Sequence, residues 1–210
     1  MVQARLIASP PTKPPSKTAG LKVSFGLLAT LGLTLGFGLR VNPRAFILHG
    51  GCGQGHSNER NASTSLKTIA LAEFDFRSAD RDWNQVNDFW GKDVAGLYAF
   101  HAADDLTRTP IRLVELSVAA ADDRPICDLT PYALKCPKAG YWFRSIPHEH
   151  DQKPSPDKFA YCAFPDTPNA GRWTFIIDEQ NVIYRKELKN QRGVEGYPVD
   201  PVAAGWQKLD

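Results

Sequence analysis

The sequence predicts an α+β protein: an N-terminal transmembrane helix, then one main helix packed on a small antiparallel sheet. Three observations predict it. No side chain from Val23 to Leu39 is charged. From Asn61 onward apolar residues recur at helical spacing. After Gly140 the pattern changes to short aromatic and β-branched runs separated by turn residues.

The uncharged run sits inside residues 21–41, LKVSFGLLATLGLTLGFGLRV. Its 17 residues rise about 25 Å as a helix, close to a hydrocarbon core of about 30 Å, and Lys22 and Arg40 can snorkel to extend it. Three other readings compete with a membrane anchor. A buried core helix normally carries a polar face, and this stretch shows none. A cleaved signal peptide needs small residues after the apolar run, where Arg40-Val41-Asn42-Pro43-Arg44 stands instead. An organelle presequence also fits, because the first 58 residues hold six Lys or Arg and no Asp or Glu. Gly32 and Gly36 form a GxxxG pair of the kind that lets two membrane helices approach closely. Arg5, Lys13, Lys17 and Lys22 precede the run and only Arg40 and Arg44 follow it closely. That imbalance predicts a single-pass protein with a cytoplasmic N-terminus and an extracytoplasmic C-terminal domain.

The 210-residue chain is therefore expected to divide four ways: a basic disordered tail (1–20, with SPPTKPPSK), the transmembrane helix (21–41), a Gly-rich connector (42–60) and an extracytoplasmic α+β domain (61–210). The net charge of +2 hides a split. After residue 58, 19 cations meet 23 acids, and a mildly acidic domain gives no footprint for nucleic acid. In the main helix, 61–78, Ala62, Leu66, Ile69, Ala72 and Phe76 form the buried stripe, while Lys67, Glu73 and Arg77 stay solvated. Thr109-Pro110 reads as a cap and first turn of a short helix running to Ala121. Strands are expected at 141–146, 159–164, 172–178 and 181–188, the last two as a hairpin. There Trp173, Phe175 and Ile177 share a face that Val182 and Tyr184 meet. Tyr197 and Trp206 can pin down the turn-rich tail.

Residues with metal or redox chemistry are few. Asp80, Asp82, Asn84 and Asp88 place oxygen side chains as the start of a calcium loop does, but its sixth position is Gln85, not Gly, and its twelfth is Gly91, not Glu. The full pattern therefore fails, and a helix-terminating polar turn is the favoured reading. His148 and His150 would share one side of an extended strand and could chelate a metal, yet Pro147 and Pro154 suggest an exposed loop. Of Cys52, Cys127, Cys136 and Cys162 none forms a CxxC pair. In an oxidising compartment they allow up to two disulfides in three connectivities, with Cys127–Cys136 favoured. GCGQG lacks the GK[ST] of a phosphate loop, and no nucleophile–base arrangement is visible. No catalytic, cofactor-binding or metal-binding residue is assigned, and no enzymatic activity is expected.

Asn58 to Tyr98, GYWFRSI, KFAYCAFPD, RWTFIIDEQNVIYRKEL and the closing GWQKLD together resemble a family of bacterial envelope proteins. That family is similar to type II secretion pseudopilins and type IV pilins, and the resemblance covers residues 50–210. It implies a pilin-like ectodomain, a structural or assembly role in the cell envelope or a secretion system, and no known catalysis. Partners would be the membrane and either further copies of the chain or other envelope proteins. The chain departs from true pilins in lacking a clear prepilin-peptidase site and in carrying the Gly-rich connector. The alternative from a different class is an extracytoplasmic binding module for calcium or a polymer ligand.

Overall fold

A computed structural model describes residues 53–101, 109–148, 155–189 and 192–209. Eight elements follow one another: α1 (Gly53–Ser78), α2 (Gly96–Ala99), α3 (Leu116–Ala119), β1 (Tyr141–Ser145), β2 (Ala160–Pro165), β3 (Thr174–Asp178), β4 (Tyr184–Lys186) and β5 (Gln207–Lys208). The five strands form one antiparallel sheet in chain order, a meander closed by short loops.

The expected fold class needs one correction. Among the described residues, no helix is long and apolar enough to cross a membrane. At 26 residues α1 has the length, but its outward face carries Arg60, Asn61, Thr64, Asp75 and Ser78, so it is amphipathic and belongs on a sheet. The span expected at 21–41 lies outside the described residues, as do the expected tail and Cys52. What stands is an α+β fold with one long helix on a five-stranded sheet.

Helix α1 starts at Gly53, inside the stretch expected to be a connector. Ala62, Leu66, Ile69, Ala72 and Phe76 are all buried, as their spacing predicts, and α1 packs on β2 and β3. The helix stops in a Schellman turn. Asp80 takes the left-handed conformation (φ 44°), its N–H donates to Arg77 O, and Arg81 N–H donates to Phe76 O.

Two apolar cores flank the sheet. On the α1 side lie Tyr141, Phe143, Tyr161, Phe175, Ile177 and Ile183. On the other lie Ile146, Cys162, Phe164 and Ile176, covered by Tyr197 and Trp206 of the C-terminal segment. The tail is therefore pinned by the two aromatics expected to do so, and its end adds β5. With layers on both faces, all six residues of β2 are buried. The hairpin register is one residue away from expectation. Phe175 pairs with Arg185 and Ile176 with Tyr184, so Tyr184 joins the second core and Ile183 the first. The short helix expected from Pro110 is also different. Residues 109–113 form no helix: Arg112 takes a left-handed φ of 50°, Ile111 and Leu113 N–H donate to Phe100 and Leu97 O, and helix forms only at α3.

Candidate functional site

The most polar part of the interior is built from three carboxylates, each at most 1 % exposed: Glu73, Asp93 and Asp122. Glu73 occupies the fourth place of the series 62, 66, 69, 73, 76, the 4-3-4-3 rhythm of a buried helix stripe, and so must point inward. The expectation that it stays in solvent is corrected here. Its carboxylate accepts N–H bonds from Trp90 (2.8 Å) and Gly91 (3.0 Å) and a hydroxyl bond from Tyr161 of β2. Thus one side chain ties α1, the 88–92 loop and the sheet together.

The other two acids continue the lattice. Asp93 accepts from the Trp90 indole N–H at 2.9 Å and from the Gly96, Ile126 and Cys127 N–H groups. Asp122 accepts from Val94, Ala95 and Arg124 N–H at 2.7, 2.8 and 2.9 Å. Gly96 is required where it stands: an added Cβ would lie 2.3 Å from the Trp90 ring and 2.5 Å from an Asp93 oxygen. Burial raises the Glu73 pKa to about 7 and that of Asp122 to about 6, because the charged form is held away from water. The donors counter that push, and the negative charge of Asp93 adds to it.

Above this lattice lies a cleft of about 480 Å³. Phe89, Trp90 and Gly91 line it on the loop side, Ser145 at the end of β1, and His148 and Phe159 across from them. Ser145 Oγ donates to Gly91 O at 2.6 Å, so the loop is fastened to the sheet here too. His148 Nε2 lies 3.3 Å from both Phe159 O and a Glu179 carboxylate oxygen, with its ring against Tyr197.

The residues singled out for metal binding are placed as follows. Asp80 ends α1, and its carboxylate accepts from Gln85 N–H; Asp82 accepts from the Asn84 amide, and Asn84 Oδ1 from Val86 N–H. The side chains thus brace the 80–88 turn, while Asp80 and Asp88 each keep one buried oxygen with no hydrogen-bond partner. No group of three or more His, Cys, Asp or Glu is arranged to hold a metal ion among the described residues. His150 lies outside them, and with it the expected His148–His150 pair. Among the described residues Cys127, Cys136 and Cys162 are free thiols, and no Cys127–Cys136 bridge is formed. Cys127 N–H is held by Asp93 and Cys136 N–H by Ala120 O, so each cysteine's backbone is anchored separately. Burial pushes the Cys127 and Cys162 thiols up to about 11, and neither is a ready nucleophile.

The acid lattice was missed in the sequence for different reasons. Glu73 was legible from the stripe rhythm. Asp93 and Asp122 sit in irregular segments, where no periodicity distinguishes an inward carboxylate from a solvated one. No protein family, curated protein or solved structure matches the chain.

Proposed function

We propose that this protein is a structural or assembly module of a bacterial envelope, acting through contacts rather than through catalysis. One observation supports the reading most: among the described residues, every carboxylate at most 1 % exposed holds the chain's own loops. Glu73, Asp93 and Asp122 together accept eight backbone N–H groups, an indole and a phenol. In a catalytic centre such acids would instead present a carboxyl oxygen to the cleft, whereas these three are buried among their own donors. The product is a stiff head whose long helix lies over the sheet, the arrangement that the resemblance to pilin-like proteins implies. Cross-linking of the full chain in cells tests the reading. Discrete higher-mass species containing this chain are expected, and a chain that stays monomeric at every cross-linker dose removes the proposal.

A second reading has a specific observation behind it. Asp80 and Asp88 hold carboxylate oxygens out of water without a donor, which a divalent cation in the 80–88 turn would satisfy. Calorimetric titration of the full chain with calcium decides it: no heat together with an unmoved melting temperature discards this reading and leaves the first intact.

A further inference from the structure

We infer that Glu73 is a proton-operated latch buried behind the lining of the cleft, which holds the 88–92 loop closed when protonated and releases it when ionised. The geometry comes first. Glu73 is wholly buried, and the two backbone N–H groups it holds, those of Trp90 and Gly91, belong to residues that line the cleft. The groups that face it from the packed elements are acidic or neutral. Tyr161 comes from β2, Asp93 from the 88–96 segment, and Asp122 lies behind Asp93 against Val94 and Ala95. The nearby cations are turned outward: Arg77 pairs with Asp157 over the Phe89 ring, and Lys92 stacks on the face of Trp90. Burial on every side disfavours the ionised carboxylate, and the negative charge of Asp93 adds to that against the three donors. Their combined effect puts its titration at about pH 7 rather than in the usual carboxylate range.

The proton has a defined place. Tyr161 O–H and Gly91 N–H both donate to Oε1, so the proton belongs on Oε2, whose remaining lone pair can still accept from Trp90 N–H. Removal of that proton leaves a carboxylate met by three neutral donors and by the negative field of Asp93. Opening of the loop to water then relieves the charge. The free energy of opening therefore falls as pH rises from about 4.5, the ordinary value, through about 7. Trp90 and Gly91 should lose protection against amide exchange by on the order of 50- to 100-fold between about pH 5 and pH 8, after correction for intrinsic rates.

The test uses the full chain with glutamate carboxyl carbons labelled for NMR. One glutamate is expected to titrate near pH 7, with Trp90 and Gly91 protection falling over the same interval. In Glu73→Gln, which imitates the protonated acid, both the titration and the pH dependence of protection should vanish. Should that variant fail to fold, the wild-type titration decides alone. All glutamates titrating in the ordinary range, or protection of Trp90 and Gly91 that ignores the high titration, would overturn the latch. So would a folded Glu73→Gln chain that retains the wild-type pH response.

Discussion

At the scale of single residues, burial decides which charges matter. Arg144 and Arg124 both reach Glu195, yet they differ in worth. Arg144 is 7 % exposed, bonds Asp123 at 2.6 and 2.9 Å and Glu195 at 2.8 Å, and lies over the Phe164 ring. It also donates to Arg192 O and Val194 O, so it fastens the C-terminal segment to β1. Arg124 makes the same kind of pair with Glu195 at side-chain exposures of 59 % and 70 %, where water and salt screen it. Arg144→Ala should therefore cost about 2–3 kcal/mol, because it leaves Asp123 only Arg124 at 3.7 Å and frees two carbonyls. Arg124→Ala should cost under about 1 kcal/mol. Urea denaturation of the two variants checks the contrast, and similar losses would mean that the clamp works through charge count rather than burial. Gly96→Ala makes a third comparison. No charge changes, but its methyl meets the Trp90 ring and the Asp93 carboxylate, so a loss of about 1–3 kcal/mol is expected. Equilibrium unfolding measures it, and a neutral result would show that the loop can shift to make room.

At the scale of elements, α1 was the most legible part, and it shows why some readings succeed. Its stripe could be read because burial on one face imposes a period of 3.6, and five expected core residues are buried. The same rule, applied strictly, would have put Glu73 inside. Propensity argued against it, and the three donors that compensate its burial come from residues 17, 18 and 88 positions away. Long-range compensation of this kind leaves no local trace. The strands were legible as existing but not in register, because Val182, Ile183 and Tyr184 are all apolar or aromatic and offer no alternation to fix the face. The acidic run at 80–88 was ambiguous for another reason. A helix-stopping Asp in the left-handed conformation and the first ligand of a calcium loop call for the same residue type. The stripe itself yields a prediction. Leu66, at 0 % exposure, should cost about 2–5 kcal/mol as Leu66→Ala, whereas Leu71, at 62 %, should change stability by under about 0.5 kcal/mol. Denaturant midpoints with unchanged slopes would check both, and a large loss at Leu71 would show that the outward face of α1 is covered in the protein.

At the scale of the whole molecule, Glu73 and Asp122, whose pKa values burial raises to about 7 and about 6, and the surface ion pairs pull stability in opposite directions with pH. Glu73 and Asp122 have folded-state pKa values of about 7 and about 6, above the ordinary 4.5 and 3.8. Below about pH 3 both are protonated whether the chain is folded or not, and burial of the charge costs nothing. As pH rises, the unfolded chain ionises first, so the folded state loses stability progressively until both groups ionise in it too. Shifts of roughly two units each correspond to about 3 kcal/mol per group, less whatever their shared neighbour Asp93 makes common to both. Glu195 and Glu115 act the other way. Their partners Arg124 and Lys138 hold their pKa values low, which adds stability that is lost on acidification, but both are about 70 % exposed and their pairs are screened. The buried acids should win. The urea midpoint is expected to fall from pH 5 to pH 8, a window in which surface carboxylates are ionised in both states and contribute no slope. Asp122→Asn should remove part of that slope at the cost of one hydrogen bond, because its amide nitrogen would meet one of the three N–H groups that Asp122 accepts. A midpoint that rises across this window would mean that the lattice of backbone donors outweighs desolvation. The ionised acids would then be the source of the fold's stability rather than a charge on it.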